Sequence, residues 1–534
     1  MNIRFIIFSI GKLLQVLAMV LLIPAAIAVT ECMPMPIGSL IADVRFKGFF
    51  AAILASVIIG TPLTFTRRDT TGGNLVREGF AIVTFGWLLL TLFGCIPLFF
   101  YHLETYPASG IIKGIHCFTD AYFEIMSGFT TTGATITTDI EVLPKGILFW
   151  RSMTHWLGGM GIVTLALAIF PAFGVSAYQM FRGEVPGPTT ERLKPRLTQT
   201  ATILWGVYTL LTFAETGLLY LGGMSLFESF CHAFGTMATG GFSTRNASIG
   251  AYNSNYFDWV IILFMMFAGM NFMLHYQIIF HQRFSVLVKD REFQFYLSVI
   301  LIAIFMGVVT LQTEGLAADS DIKRSFRNKP LAESELSARM AVEQQKISSL
   351  YSTIRHVTFQ VFSITTTTGY CTADFDMWPN IMRFMLVVLM FFGGCAGSTG
   401  GGIKMIRIMI VFKATVREVK SMIQPKLIAP LKIAGRAVEE KQVANIVGFF
   451  ILFIILFISF TGVMSLIVSD FTTAITSVAA TICNIGPGLS GIGATENYAW
   501  IPLPGKWVLT LCMLLGRLEV YTVVIALSPI SWRK

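Results

Sequence analysis

Phe129-Thr-Thr-Thr-Gly-Ala-Thr135, Thr236-Met-Ala-Thr-Gly-Gly-Phe-Ser-Thr244, Ile364-Thr-Thr-Thr-Thr-Gly-Tyr370 and Thr481-Ile-Cys-Asn-Ile-Gly-Pro487 are four versions of one theme. Each sets a glycine (Gly133, Gly240, Gly369, Gly486) after a run of small or hydroxylic residues, and each lies between two long apolar stretches. Glycine lets the backbone take conformations that other residues resist. Irregular backbone at membrane depth is tolerated where it lines a water-filled path. Four such loops, one per quarter of a pseudo-symmetric ring, can aim peptide carbonyls at a shared axis, which is how a dehydrated monovalent cation is held. A single Ser/Thr run would be weak support, because hydroxyls also bond their own backbone in ordinary membrane helices. Four runs with glycine at matching places point to a cation-conducting membrane protein.

Composition agrees. The chain has 534 residues, 54% hydrophobic and 13% charged, with mean hydropathy +0.70. A soluble protein of this length carries far more charge. Apolar stretches of about 20 residues recur, enough to cross a bilayer as helices. The net charge of +9 fits basic loops on one face of a membrane rather than nucleic-acid binding. The eight cysteines are scattered without a C-x-x-C pair, so they read as small buried hydrophobes, not as a disulfide or zinc framework. His116, His232 and His356 sit at unequal offsets from the loop glycines, which argues against a shared metal ring. No H-E-x-x-H or Walker-type loop is present, no organic cofactor is implied, and the chain does not read as an enzyme.

The expected fold is an all-α membrane protein. Two leading spans, near Phe5–Val29 and Phe46–Phe65, occupy residues 1–70. Four helix–pore-loop–helix repeats follow, over residues 71–180, 181–288, 289–420 and 421–534. Their paired spans fall near Phe80–Phe100 and Gly146–Phe170, Thr200–Leu221 and Phe257–Phe280, Phe295–Leu311 and Ile381–Phe412, and Ile446–Val468 and Trp507–Leu527. That makes about ten spans. Met1–Val29 reads as a retained span rather than a cleaved signal, because its apolar run is longer than a usual h-region. Before each loop lies a stretch too short to span: Cys117–Phe129, Leu226–Ala238, Tyr351–Thr366 and Phe471–Cys483. Re-entrant helices there would point their C-terminal dipoles at the axis, favouring cations. An even number of spans puts both termini on one side. Arg67–Arg77, Arg182–Arg196, His281–Arg291 and Lys413–Arg436 share that side, which the positive-inside bias makes cytoplasmic. The polar segment Glu314–Leu350 then lies outside, as a loop or short helical insertion with no assigned role.

Three further features carry chemistry. Glu124 and Glu228 fall in the short stretches; each either attracts cations or accepts N–H bonds that hold a loop, and for Glu124 the structural role is favoured. Gly393-Gly-Cys-Ala-Gly-Ser-Thr-Gly-Gly-Gly402 interrupts a span of repeat three, and its six glycines (Gly393, Gly394, Gly397, Gly400, Gly401, Gly402) cannot favour continuous helix. It reads as a gate, since the break marks one repeat only; the alternative is close packing through small residues. Arg517 lies within a span, where arginine is costly and usually functional. It either faces the pore as an electrostatic barrier or bonds the glycine-rich loop. Glu519, two positions on, faces elsewhere on a helix.

Together these motifs resemble the Trk/Ktr/HKT superfamily, and the two leading spans with Gly516-Arg-Leu-Glu519 are most similar to its TrkH-type potassium-uptake subunits. The resemblance implies gated K⁺ uptake across the bacterial inner membrane by a homodimer, with one pore per protomer and a cytosolic ring of nucleotide-binding regulatory subunits of TrkA type. It carries the ion filter onto Thr131, Thr132 and Gly133; Ala238, Thr239 and Gly240; Thr367, Thr368 and Gly369; and Asn484, Ile485 and Gly486. It carries the gate onto Gly393–Gly402 and Arg517. The alternative class is a proton- or sodium-coupled secondary cation transporter, which calls for a relay of ionisable residues inside the spans.

The charge asymmetry makes a testable statement. In a Lys420→Cys variant, a membrane-impermeant thiol reagent labels position 420 only after the cells are permeabilised. Labelling in intact cells would invert the topology.

Overall fold

In lipid every peptide group has to be satisfied internally, so an apolar chain folds as helices. The computed structural model describes residues 2–32, 43–66, 75–106, 110–161, 197–318, 322, 333–424, 430–433 and 436–532. The basic segment Arg182–Arg196, most of the Arg67–Arg77 linker, the end of the Gly146–Phe170 span, Lys426 and part of Glu314–Leu350 lie outside the described residues.

The leading helices, Ile3–Cys32 and Val44–Leu63, pack tightly at Gly11 and Gly60. A side chain at Gly11 would meet the carbonyl of Gly60, and one at Gly60 would meet Leu14. Small residues let membrane helices approach this closely. The first span of repeat one runs from Leu75 to Gly94 and continues as Ile96–Thr105. First spans of the other repeats are Leu197–Leu221, Arg291–Glu314 and Glu440–Ile467. Phe305 and Leu466 on two of them are exposed, as contact with lipid tails allows.

Six helices among the described residues are long and apolar enough to cross a membrane. Two more spans are bent pairs: Asn255–Gly269 with Phe272–His281, turning by 105°, and Leu503–Arg517 with Val520–Leu527, turning by 111°. The two remaining expected spans are the second ones of repeats one and three. The former is described as Lys145–Gly159; the latter is divided into Asn380–Met390 and Met405–Ile423. The expectation that a break marks repeat three alone is therefore corrected. Spans in repeats two and four also break, over Met270-Asn271 and Leu518-Glu519. What sets repeat three apart is the length of its interruption, 391–404.

All four short stretches are helices: Ile111–Phe129, Leu226–Met237, Leu350–Thr365 and Phe471–Ile482. Their C-terminal turns are buried, continuously from Ala121 to Phe129 and from Thr476 to Ile482. The eight cysteines are buried and unpaired with one another. The only strands among the described residues are Lys432–Ile433 and Arg436–Ala437, a minimal antiparallel hairpin. In the Glu314–Leu350 segment, Glu333–Lys346 forms a helix. It reaches repeat four through Arg339 and Glu496, 3.7 Å apart, and Leu336 packs with Met377 of repeat three.

Candidate functional site

Each short helix ends in the same way. The caps Thr130, Ala238, Thr366 and Cys483 are followed by Thr131, Thr239, Thr367 and Asn484, all left-handed with φ between 53° and 63°. The next N–H reaches back into the helix: Thr132 to Ser127, Gly240 to Gly235, Thr368 to Ser363 and Ile485 to Ala480, at 2.8–2.9 Å. This is a Schellman ending, in which glycine normally takes the left-handed place. A β-branched threonine there is strained by roughly 1–3 kcal/mol, and it persists only where its surroundings over-determine it.

One residue later comes a glycine with positive φ: Gly133 at 78°, Gly241 at 79°, Gly369 at 81° and Gly486 at 98°. The four loops therefore align with Gly241, not Gly240, in repeat two. Ala238, carried over as a filter position, is a helix cap equivalent to Thr130, and the matching triplet is Thr239-Gly240-Gly241. Thr239-Gly240-Gly241 offered two glycines; the aromatic that follows, Phe242 as against Tyr370, was the signal that would have chosen between them.

The four glycines close a ring. A methyl group at Gly133 would overlap the carbonyl oxygen of Gly240, one at Gly241 that of Thr368, one at Gly369 that of Ile485, and one at Gly486 that of Thr132. Each glycine thus lies against a peptide oxygen of the next repeat, and the fourth returns to the first. Thr131, Thr132, Thr239, Thr367, Thr368 and Asn484 are wholly buried around it.

Every junction between repeats is bonded. Ile140 N–H donates to Asn246 Oδ1 (2.7 Å) between repeats one and two. Tyr370 Oη donates to the carbonyls of His232 (3.1 Å) and Phe242 (3.3 Å) between two and three. Ser490 N–H donates to Asp376 Oδ1 (2.9 Å) between three and four. Tyr498 N–H donates to the Thr135 carbonyl (2.8 Å), and Asn484 Nδ2 to Thr132 Oγ1 (2.9 Å), between four and one.

Glu124 is a support of this assembly. Wholly buried, it accepts from Thr135 Oγ1 (2.9 Å), Ile136 N–H (2.8 Å) and Arg151 Nε (2.8 Å). The Arg151 guanidinium lies 4.3 Å from the Phe242 ring centroid, and His155 stacks on the same ring at 4.1 Å. The His155 ring fills the space that a side chain at Gly240 would need. Neither Arg151 nor His155 was singled out by sequence, although two ionisable residues four apart inside an apolar span were a legible signal. Glu228 pairs with Arg245 at 2.8 Å. The ring of His232 is bonded by the Glu228 carbonyl (2.8 Å) and Ser243 Oγ (3.0 Å); His356 meets Thr372 Oγ1 (3.0 Å), and His116 stacks on Tyr106.

The Gly393–Gly402 loop folds back on itself and presses on the short-helix ends. Its neck is joined by Gly393 N–H to the Ile403 carbonyl (2.9 Å) and Met405 N–H to that of Gly394 (3.2 Å). Gly397 and Gly402 take positive φ, Gly401 approaches the Cys483 carbonyl too closely for a larger residue, and a side chain at Gly400 would be tight against the carbonyl of Thr366. Gly401 N–H donates to Thr367 Oγ1 (2.7 Å), and Thr399 Oγ1 to the Met237 carbonyl (2.9 Å). The loop thereby touches the short-helix ends of repeats two, three and four. Arg517 links the loop to the second span of repeat one: it donates to the carbonyl of Thr399 (2.7 Å) and to those of Gly158 and Gly159 (2.6 Å each). Of its two expected roles, bonding the loop is the one this geometry displays. Glu519 instead pairs with Arg407 at 2.7 Å, and the buried Lys404 ammonium donates to the Gly400 carbonyl. Beneath lies a cavity of about 140 Å³ bordered by Gly159, Gly400, Lys404, Arg407 and Arg517.

Breaking the buried Glu124–Arg151 pair leaves one charge uncompensated, at about 3–5 kcal/mol. Glu124→Ala therefore lowers the melting temperature of the detergent-solubilised protein markedly. An unchanged melting temperature would contradict the supporting role.

Comparison with known proteins gives the family. The TrkH family model, described as a cation transport protein, matches residues 46–534. The Trk system potassium uptake protein TrkH of Halomonas elongata is 35% identical over 528 residues, covering 98% of this chain and 100% of that protein. Its namesake in Escherichia coli K12 is 35% identical over 507 residues, 95% of this chain and 96% of that one. The crystal structure of the potassium transporter TrkH from Vibrio parahaemolyticus matches with a TM-score of 0.80 at 30% identity, covering 100% of both chains. With the ring geometry and a match over nearly its whole length, this chain belongs to the TrkH family of cation transport proteins.

Proposed function

We propose that this chain conducts potassium inward across the bacterial inner membrane, holding the ion on backbone carbonyls of the four-loop ring. The observation that carries the reading is the closed ring itself: four left-handed residues and four positive-φ glycines at equivalent places, with the oxygens of Thr132, Gly240, Thr368 and Ile485 fixed by their neighbours. A cation entering a narrow passage has to exchange water for oxygens of comparable field, and peptide carbonyls supply them without a buried counter-charge. The relatives are named as potassium uptake proteins. The proposed filter is Thr131-Thr132-Gly133, Thr239-Gly240-Gly241, Thr367-Thr368-Gly369 and Asn484-Ile485-Gly486.

The Gly393–Gly402 loop with Arg517 is the gate in this reading. The three carbonyl bonds made by Arg517, to Thr399 of repeat three and to Gly158 and Gly159 of repeat one, hold the loop under the ring. A positive charge at that depth also opposes a cation leaving the ring, at a strength set by the local dielectric. In this reading the basic face around Lys413 and Lys420 lies in the cytoplasm with both termini, where a nucleotide-binding regulatory subunit would dock on a homodimer.

The purified protein in liposomes, with K⁺ on one side and Na⁺ on the other, gives a reversal potential displaced towards that of K⁺. Gly369→Ser forces a side chain against the Ile485 carbonyl at a φ of 81°. It reduces the K⁺/Na⁺ permeability ratio by about tenfold, equivalent to about 1.4 kcal/mol. An unchanged ratio in folded Gly369→Ser would remove the ring from the ion path.

A further inference from the structure

We propose that Glu292 is a positioning residue for the gate, fixing the base of the Gly393–Gly402 loop to the first span of repeat three; the proposal rests on the reading of that loop as the gate. Glu292 is in the first turn of Arg291–Glu314, a helix already capped by Asp290, whose carboxylate accepts from Phe293 N–H at 2.8 Å. The Glu292 side chain leaves its own helix. Its Oε1 accepts from Ala396 N–H at 2.7 Å and from Ile406 N–H at 3.1 Å.

Those two donors are the two feet of the loop. Ala396 lies in the first half of the loop, and Ile406 lies in the first turn of Met405–Ile423, where N–H groups lack intrahelical partners. The cap of that helix, Lys404, supplies no side-chain bond to it. A carboxylate from another span fills the role, and the positive end of the helix dipole favours it. One oxygen atom therefore pins both feet, directly beside the neck bonds between Gly393 and Ile403. Arg517 holds the loop at Thr399, and Glu292 holds it at Ala396 and at the start of the helix that follows. The residues just before Glu292 form the short exposed helix Ser285–Lys289, with Val288 75% exposed. Any displacement of that segment reaches the loop through this carboxylate.

A merely structural glutamate and a positioning one are separable, because glutamine keeps the accepting oxygen. The full chain is reconstituted in liposomes without a regulatory partner, and Rb⁺ influx is measured for the parent, E292A, E292Q, E292D and R517A. E292A raises influx about tenfold, the order expected when two buried N–H donors lose their shared acceptor. E292Q returns it to within about twofold of the parent. E292D, too short to reach both feet, behaves like E292A and carries the test if E292A does not fold. A second readout is alkylation of Cys395, which is buried beside the first foot, followed on its peptide by mass spectrometry. It speeds up in E292A and not in E292Q. Parental influx and parental Cys395 reactivity in folded E292A and E292D overturn the proposal. If R517A nonetheless raises influx, the gate stands and only the role of Glu292 fails; if R517A does not, the gate reading fails with it. Equal influx in E292Q and E292A also overturns it, since charge rather than the shared acceptor would then be at work.

Discussion

Four glycines lie against four peptide oxygens, each oxygen from the next repeat, and the circle leaves no room for a methyl group. Much else follows from that contact. To bring the loops together, each short helix has to end abruptly at the centre of the molecule, and the left-handed Thr131, Thr239, Thr367 and Asn484 are the turn that does it. Three of these are β-branched, the residue type least suited to the conformation. Strain of this kind collects where a protein holds a functional geometry. The surrounding spans also have to make way. A side chain at Gly158 would collide with the carbonyl of Phe129, and one at Gly516 with that of Ile482, so equivalent helix ends press on equivalent glycines in repeats one and four.

The glycine-rich loop belongs to the same logic. It occupies the space beneath the ring and contacts the ends of pore helices two, three and four, while Arg517 bridges from it to repeat one. A segment held by repeats two, three and four, and tied to repeat one through Arg517, cannot move without disturbing each of them. The bonds run largely to backbone carbonyls from an arginine, a lysine and a threonine, with Thr367 accepting in return. Hydrogen bonds in a water-poor interior are stronger than at a surface, and a buried group left unpaired costs more. Such a network favours discrete positions over gradual drift.

Much of this was legible in the sequence. The short helices end at Phe129, Met237, Thr365 and Ile482, within a residue of the expected boundaries, because a hydroxylic run closed by glycine is a strong local stop. The resemblance to TrkH-type subunits holds through the family match. Other features were hidden for physical reasons. In repeat two, adjacent glycines left the register ambiguous by one residue. The breaks at Met270-Asn271 and Leu518-Glu519 are two residues long and leave the apolar pattern intact, so they read as continuous spans. Glu292 and Arg151 act through partners that folding, not sequence, brings near: Glu292 and Ala396 are 104 residues apart, and Arg151 and Glu124 are 27 apart. The expectation for Glu519 assumed a continuous helix; it sits instead in the break between Leu503–Arg517 and Val520–Leu527, with a φ of 58°, and its partner Arg407 lies on another span.

The central claim is that a dehydrated cation sits among the oxygens of Thr132, Gly240, Thr368 and Ile485. Crystals of the protein grown in Rb⁺, with anomalous data collected at the rubidium edge, test it most directly. The account predicts an anomalous peak on the axis of the four loops, within coordination distance of those carbonyls. A peak confined to the cavity beside Lys404 and Arg517, or bound to carboxylates away from the loops with none at the ring, would contradict it.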